Sequence, residues 1–398
     1  MKRINVFPIA GVMISFVILI GNGSAFAEPA IKDKSLKIEL LTQGLSFPTS
    51  MLFLDAAHIL VLEKGGKVRL VSEGALQPEP VLTLNVINKN ERGLLGVERI
   101  VNNVFLYFTE DDGGAKNRVY KFDISGTSLT NQKMILDLPA GPGTNHQGGK
   151  LVAGIDKSLY SVTGELQRNG KDQNIKDGPD PDFSGAILKV NPIDGSPAQN
   201  NPFSATSSPS SPLSHYYAYG VRNGFGLAID PINGNLWDTE NGEDAYDEIN
   251  LVNPGFNSGW KLVMGPISST GLSENSLVNF PGSKYSDPVL SFKDPIGITD
   301  IEFLNSTKLG TKYADNAFVG DIRNGNLYYL EMNGMRNGFK LNSPGLEDKV
   351  VDTKPELDSI TLGSGFGGIT DIETGPDGNL YVLSYQDGSI YKISSSSS

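Results

Sequence analysis

Gly297-Ile298-Thr299-Asp300-Ile301-Glu302 returns letter for letter as Gly368-Ile369-Thr370-Asp371-Ile372-Glu373. Self-similarity of this kind decides a fold before any single element does. Each copy opens a longer pattern. A small or polar cluster leads into an apolar strand, then a turn, then a strand rich in Leu, Tyr and Val, and a glycine turn leads to a closing strand. After the second hexapeptide the pattern continues through Gly378-Asn-Leu-Tyr-Val-Leu to Gly388-Ser-Ile-Tyr-Lys-Ile. Looser copies open at Leu45, Glu91, His146 and Arg222. Together these make six units of about 62 residues, enough for four strands and their turns. The expectation is an all-β protein, a six-bladed β-propeller in one closed domain over residues 28–393, in which radial repetition leaves few open sheet edges.

Composition agrees. The 398 residues include 46 Gly and 23 Pro, the punctuation of many turns, with aromatic and β-branched residues between them. Cysteine is absent, so neither disulfides nor a thiolate metal site is possible. The formal net charge is −12, which argues against nucleic acid or an anionic membrane as partner. Lys2 and Arg3, an apolar run from Val6 to Ile20 and the small-x-small site Ala25-Phe26-Ala27 predict a signal peptide over residues 1–27. The expected product is an exported protein, periplasmic or extracellular, starting at Glu28 and having no membrane span. Ser394 to Ser398 is expected as a disordered tail.

In a propeller the inner strand of every blade lines the central channel, so the six opening clusters should meet at one mouth. They bring Thr49, Glu91 with Arg92, Asn145 with His146, Arg222 with Asn223, and the two Thr-Asp pairs. Such a gathering of a base, cations, carboxylates and amides suits a polar ligand. His146 stands out: histidine exchanges protons near neutral pH, and Gly148 and Gly149 beside it allow close backbone approach. Asp300 and Asp371 recur identically and are expected to be architectural, serving a turn or a blade-to-blade hydrogen bond. A separate oxygen-rich run, Glu240 to Glu248, suits a hard cation such as Ca²⁺ as well as it suits a solvated acidic loop.

The chain resembles the soluble glucose/sorbosone dehydrogenase family, the exported PQQ-dependent aldose sugar dehydrogenases. The resemblance rests on Glu91-Arg-Gly-Leu-Leu-Gly, Asn145-His-Gln-Gly-Gly-Lys-Leu, Ile187-Leu-Lys-Val-Asn-Pro, Tyr217-Ala-Tyr-Gly-Val-Arg-Asn-Gly-Phe-Gly-Leu, Asp247-Glu-Ile-Asn-Leu and Asn257-Ser-Gly-Trp, in that order. It implies a six-bladed propeller that oxidises the anomeric carbon of an aldose to a lactone by hydride transfer to PQQ. It implies His146 as the catalytic base and Glu91, Arg222, Asn223 and Arg323 as cofactor contacts. Ca²⁺ is implied at Gly242 and Glu243, and at Glu248 and Ser258. The implied partners are a small-molecule sugar and an electron acceptor of unknown identity. Three departures stand against it. Glu91 replaces a glutamine, Asn145 an aspartate, and Gly368 and Thr370 replace arginines that hold cofactor carboxylates in glucose-type members. Two other readings stay open: a non-catalytic propeller that binds a protein or glycan, as hedgehog-interacting proteins do, and a calcium-dependent lactonase.

Overall fold

The computed structural model describes residues 28–168, 174–178 and 180–397; the expected signal peptide lies outside them. The chain is an all-β propeller. Its strands form six sheets, and the single α-helix among the described residues is Lys354–Ile360. The inner strands are Pro48–Phe53, Leu94–Ile100, Leu151–Ala153, Gly224–Ile229, Ile298–Phe303 and Ile369–Thr374. Each touches the next around a ring, and the last touches the first. Both hexapeptides lie at the start of inner strands.

Second strands of the sheets are covered on both faces. Leu159–Thr163, Leu236–Glu240, Ala317–Asp321 and Leu380–Ser384 are buried at every position. Their side chains fill the wedges between sheets. Trp237, for example, packs on Phe303 and Phe339, joining the fourth sheet to the fifth. Each fully buried Leu, Ile or Val contributes about 1.5–3 kcal/mol of transfer free energy, so the wedges carry most of the stability.

Two devices close the ring. The first is hydrogen bonding between inner strands. Asp300 accepts the Ile372 amide (2.9 Å) and Asp371 accepts the Met51 amide (2.6 Å). Glu98 accepts the Ala153 amide (2.9 Å) and Glu302 that of Thr374 (3.1 Å). Thr299 donates to the Ile369 carbonyl (2.8 Å) and Thr370 to that of Pro48 (2.9 Å). The repeated Asp residues are therefore architectural, as their recurrence suggested.

The second device is a strand taken from the other end of the chain. Leu36–Gln43 forms the outer strand of the last sheet, antiparallel to Ser389–Ser395. This corrects the expected serine tail. Ser394 pairs with Lys37 and Ser395 with Leu36, and Ser394 is buried. A ladder is made by backbone groups, so a serine run satisfies it whenever a partner strand is present.

Candidate active site at the channel mouth

The loops entering the inner strands enclose a cavity of about 440 Å³. His146, Glu91, Arg222, Asn223, Arg323, Gly242 and Glu243 all line it, together with Thr49, Lys64, Thr299, Thr370 and Tyr385. The volume falls within the usual range for small-molecule sites.

His146 stands in the left-handed region, at φ 57°. Its amide donates to Glu91 Oε2 (2.7 Å), and its carbonyl accepts the Leu166 amide (3.2 Å). Glu91 Oε2 also accepts from Asn223 Nδ2 (3.1 Å), so one carboxylate oxygen ties the loops of three sheets together. Close approach explains two nearby glycines. A Cβ on Gly164 would meet the His146 carbonyl, and one on Gly149 would meet Leu95. On the imidazole, Nδ1 bonds to the buried carboxylate of Glu165. A carboxylate only accepts, so in the neutral ring Nδ1 carries the proton and the lone pair is left on Nε2.

Arg222 is held from its backbone outward. Its amide donates to Glu240 Oε1 (2.5 Å). Its guanidinium donates to the carbonyls of Asn241 and Gly242 (2.8 Å each) and lies over the Trp260 ring, 5.2 Å from the centroid. Arg323 donates to the Pro295 carbonyl (2.7 Å). The Gly242 amide donates to Asp247 Oδ1 (2.9 Å), while Asp247 Oδ2 accepts from Gly297 and Ile298. Two buried atoms beside the cavity lack a hydrogen-bond partner: Arg222 Nε and Asn223 Oδ1.

Glu248 and Ser258 lie behind this wall, and no hydrogen bond joins them. Glu240 links them: Ser258 donates to Glu240 Oε2 (2.7 Å), and Glu240 stands opposite Glu248 in the ladder. Asp238 lies two residues before Glu240, on the same face of the strand. Burial and mutual repulsion push the Asp238 and Glu248 carboxyls well above their ordinary range. Burial pushes Glu240 up to about 7, with hydrogen bonds from the Arg222 amide and Ser258 and the Arg222 charge pulling back. Neither oxygen of Asp238 receives a well-formed hydrogen bond, although the Asn250 side chain lies near.

Sequence reading missed Glu165, Asp238 and Lys64. Glu165 follows the second strand of the third sheet and so reaches the same mouth as His146; its place beyond Leu159–Thr163 was the available signal. Asp238 follows Leu236-Trp237 in a fully buried strand, and a buried aspartate is uncommon unless it is paired.

The comparisons agree with this picture. Residues 45–392 match the glucose/sorbosone dehydrogenase family, and the chain belongs to it. Aldose sugar dehydrogenase YliI of Escherichia coli (strain K12) is 26% identical over 94% of this chain and 95% of its own length. Quinoprotein glucose dehydrogenase B of Acinetobacter calcoaceticus is 27% identical over 60% of this chain and 55% of its own. The apo-form crystal structure of the soluble aldose sugar dehydrogenase from Escherichia coli superposes with a TM-score of 0.70 at 25% identity, covering 90% of this chain and 99% of that one.

Proposed function

We propose that this chain is an exported quinoprotein that oxidises the anomeric carbon of an aldose to a lactone, with PQQ in the mouth cavity and Ca²⁺ as a second cofactor. The reading is for a six-bladed propeller, one blade per sheet. The observation that carries it is the His146–Glu165 pair at the wall of a cavity where three cations, Lys64, Arg222 and Arg323, form no ion pair with a carboxylate among the described residues. Lys64, Arg222 and Arg323 donate only to backbone carbonyls. Three such cations beside orphaned Arg222 Nε and Asn223 Oδ1, on a wall they share with Glu91, Glu243 and Asp247, fit an anionic, polar-edged ligand. PQQ is such a ligand, and when bound it supplies the hydride acceptor.

The protein supplies the proton acceptor and the field. His146 Nε2 takes the proton of the anomeric hydroxyl. Glu165 fixes the ring's tautomer and stabilises the imidazolium that forms. The clamp of Glu91 on the His146 amide keeps the base from swinging away. Arg222, stacked on Trp260, holds positive charge where electrons accumulate. Arg222→Ala should therefore weaken cofactor binding as well as turnover.

Calcium is proposed at the two places already named, Gly242 with Glu243 and Glu248 with Ser258. Among the described residues no preformed set of three His, Asp or Glu awaits a metal. The fit of the second place rests on the unsatisfied Asp238 carboxylate beside Glu240 and Glu248, and backbone oxygens and water would complete the shell. At the first place the Gly242 carbonyl already accepts from Arg222, so an ion there shares its oxygen with a guanidinium.

The deciding experiment adds PQQ and Ca²⁺ to purified protein and follows both the bound-quinone absorption and dye-linked oxidation of an aldose panel. Failure of the wild type to bind PQQ would overturn the reading in favour of a propeller that binds a protein or glycan.

A further inference from the structure

The sixth sheet brings no charge to the mouth. Gly368 has no side chain, the Thr370 hydroxyl is spent on the Pro48 carbonyl, and Asp371 is paired with Lys150. The two sheets flanking it in the ring each bring a cation. Arg323 follows Ala317–Asp321 of the fifth sheet, and Lys64 follows His58–Glu63 of the first. Across the ring, His146 and Arg222 enter the third and fourth sheets. The cavity is thus polar in a directional sense, with a base and its companions on one side and two cations astride an uncharged sheet on the other.

Lys64 is built into this position. Its amide donates to the Phe47 carbonyl (3.0 Å), and its carbonyl accepts the Leu94 amide (3.1 Å), so its backbone is fixed between the first and second sheets. Its side chain runs where a Cβ on Gly93 would sit, at 2.8 Å from Lys64 Cγ. Lys64 lines the cavity, and its ammonium makes one hydrogen bond, to the Asn88 carbonyl (2.5 Å). An ammonium has three donors, so two remain. Desolvation pulls its pKa below the ordinary value, and the Glu91 charge pushes it back. A desolvated ammonium with spare donors and no ion-pair partner is held ready for an anion.

We infer that Lys64 is a cofactor-binding residue: with Arg323 on the far side of the sixth sheet, it takes carboxylates of the quinone and does the work of the arginines that Gly368 and Thr370 replace. The inference rests on the quinoprotein reading above. It also gives the ligand an orientation, with its acidic edge toward the sixth sheet and its other edge toward His146.

The test is equilibrium binding of PQQ to metal-replete apoprotein by calorimetry, which needs no turnover. Lys64→Met should weaken binding about tenfold or more and flatten its dependence on salt, because one charge-assisted contact is lost. Lys64→Arg should restore most of the affinity. Lys34→Met, in the exposed turn before the outer strand Leu36–Gln43, should change nothing, and near-native melts of each variant would exclude unfolding as the cause. Wild-type binding matched within twofold by Lys64→Met, with the same salt dependence, would overturn this inference and leave the quinoprotein reading intact. No binding by the wild type would overturn both.

Discussion

Two cavities lie along the channel, and they are opposite in kind. The mouth cavity is lined by Lys64, Arg222 and Arg323, which donate to backbone carbonyls. The lower one, about 160 Å³, is lined by Glu98, Asp300, Glu302 and Glu373. Lys150 belongs to both walls and forms ion pairs with Asp300 (2.8 Å) and Asp371. One repeated hexapeptide supplies much of this contrast, because its residues step down the channel: Thr299 at the mouth, Asp300 at the level of Lys150, Glu302 below. At the mouth Glu91, Glu243 and Asp247 share the wall, but the side chains of Lys64, Arg222 and Arg323 form no ion pair with them, so their charge stays available to a ligand. Excess carboxylate lies in the lower cavity, where burial pushes Glu98, Asp300, Glu302 and Glu373 upward in pKa. The difference teaches that charge balance is struck locally. The lower carboxylates are eased by Lys150, by backbone amides and by protons, whereas the upper cations wait for a ligand.

The largest effect should come from removing the base. His146→Ala deletes the proton acceptor and leaves Lys64, Arg222 and Arg323 in place. We expect kcat for aldose oxidation to fall by at least about 10²-fold, within the 10²–10⁴-fold range for a positioned base, while PQQ still binds. Steady-state kinetics of reconstituted protein beside a binding titration checks both halves. Equal turnover by the variant would remove His146 from the mechanism and leave the cationic mouth without a catalytic partner.

Next comes the residue shared by both cavities. Burial disfavours the Lys150 charge, but Asp300 and Asp371 outweigh it and hold its pKa well above the ordinary value. Lys150→Met would strand two neighbouring buried carboxylates. Breaking a buried pair costs about 3–5 kcal/mol. Urea unfolding at pH 7 should show a loss of that order. A change below about 1 kcal/mol would mean that the lower carboxylates already hold protons and do not depend on the lysine.

Much of the contrast was readable in the sequence. The repeat gave the propeller, and propeller geometry brought His146, Glu91, Arg222 and Asn223 to one mouth; Arg323 came from the family resemblance alone. What stayed hidden depended on register. Glu240 and Glu248 face each other only once their strands are paired, and Asp238 joins them only through the two-residue period. Glu165 was missed because its link to His146 joins two loops of one sheet across 19 residues. The strand Leu36–Gln43 carries no mark that it completes the last sheet, since its partner lies at the other end of the chain. The Lys150 contacts likewise join residues from three units.

A smaller effect tests the acidic cluster behind the mouth, at Asp238, Glu240 and Glu248. An ion bound only by the folded state raises stability by RT ln(1 + [L]/Kd), about 2.7 kcal/mol at a hundred times Kd. Thermal melts in EDTA and with added Ca²⁺ should therefore differ by several degrees. Superimposable melts, with no metal found by elemental analysis of untreated protein, would leave protons as the answer to buried carboxylates in both regions and remove calcium from the proposed function.

The smallest effect isolates one carboxylate of the lower cavity. Burial raises Glu302 from its ordinary 4.5 to about 7, against hydrogen bonds from the Thr374 hydroxyl and amide and the charge of Lys150, which lower it. The sign follows from proton counts. Between pH 4.5 and about 7 the folded state keeps a proton that the unfolded chain has released. Stability from this group is thus fully present at the acid end and is lost as pH rises through that window. Glu98, Asp300 and Glu373 shift in the same direction, so metal-free protein should melt at a lower temperature at pH 7 than at pH 5. Glu302→Gln keeps an acceptor for Thr374 and removes the titration. Its melting temperature should fall less steeply between pH 5 and 7 than that of the wild type, by up to one proton's worth of slope. Measuring both proteins in EDTA at half-unit steps cancels the contribution of Asp238, Glu240 and Glu248, which is common to the two. Parallel curves would show that Glu302 is ionised throughout, and the charge contrast between the cavities would then have to be carried by Lys150 and the backbone amides alone.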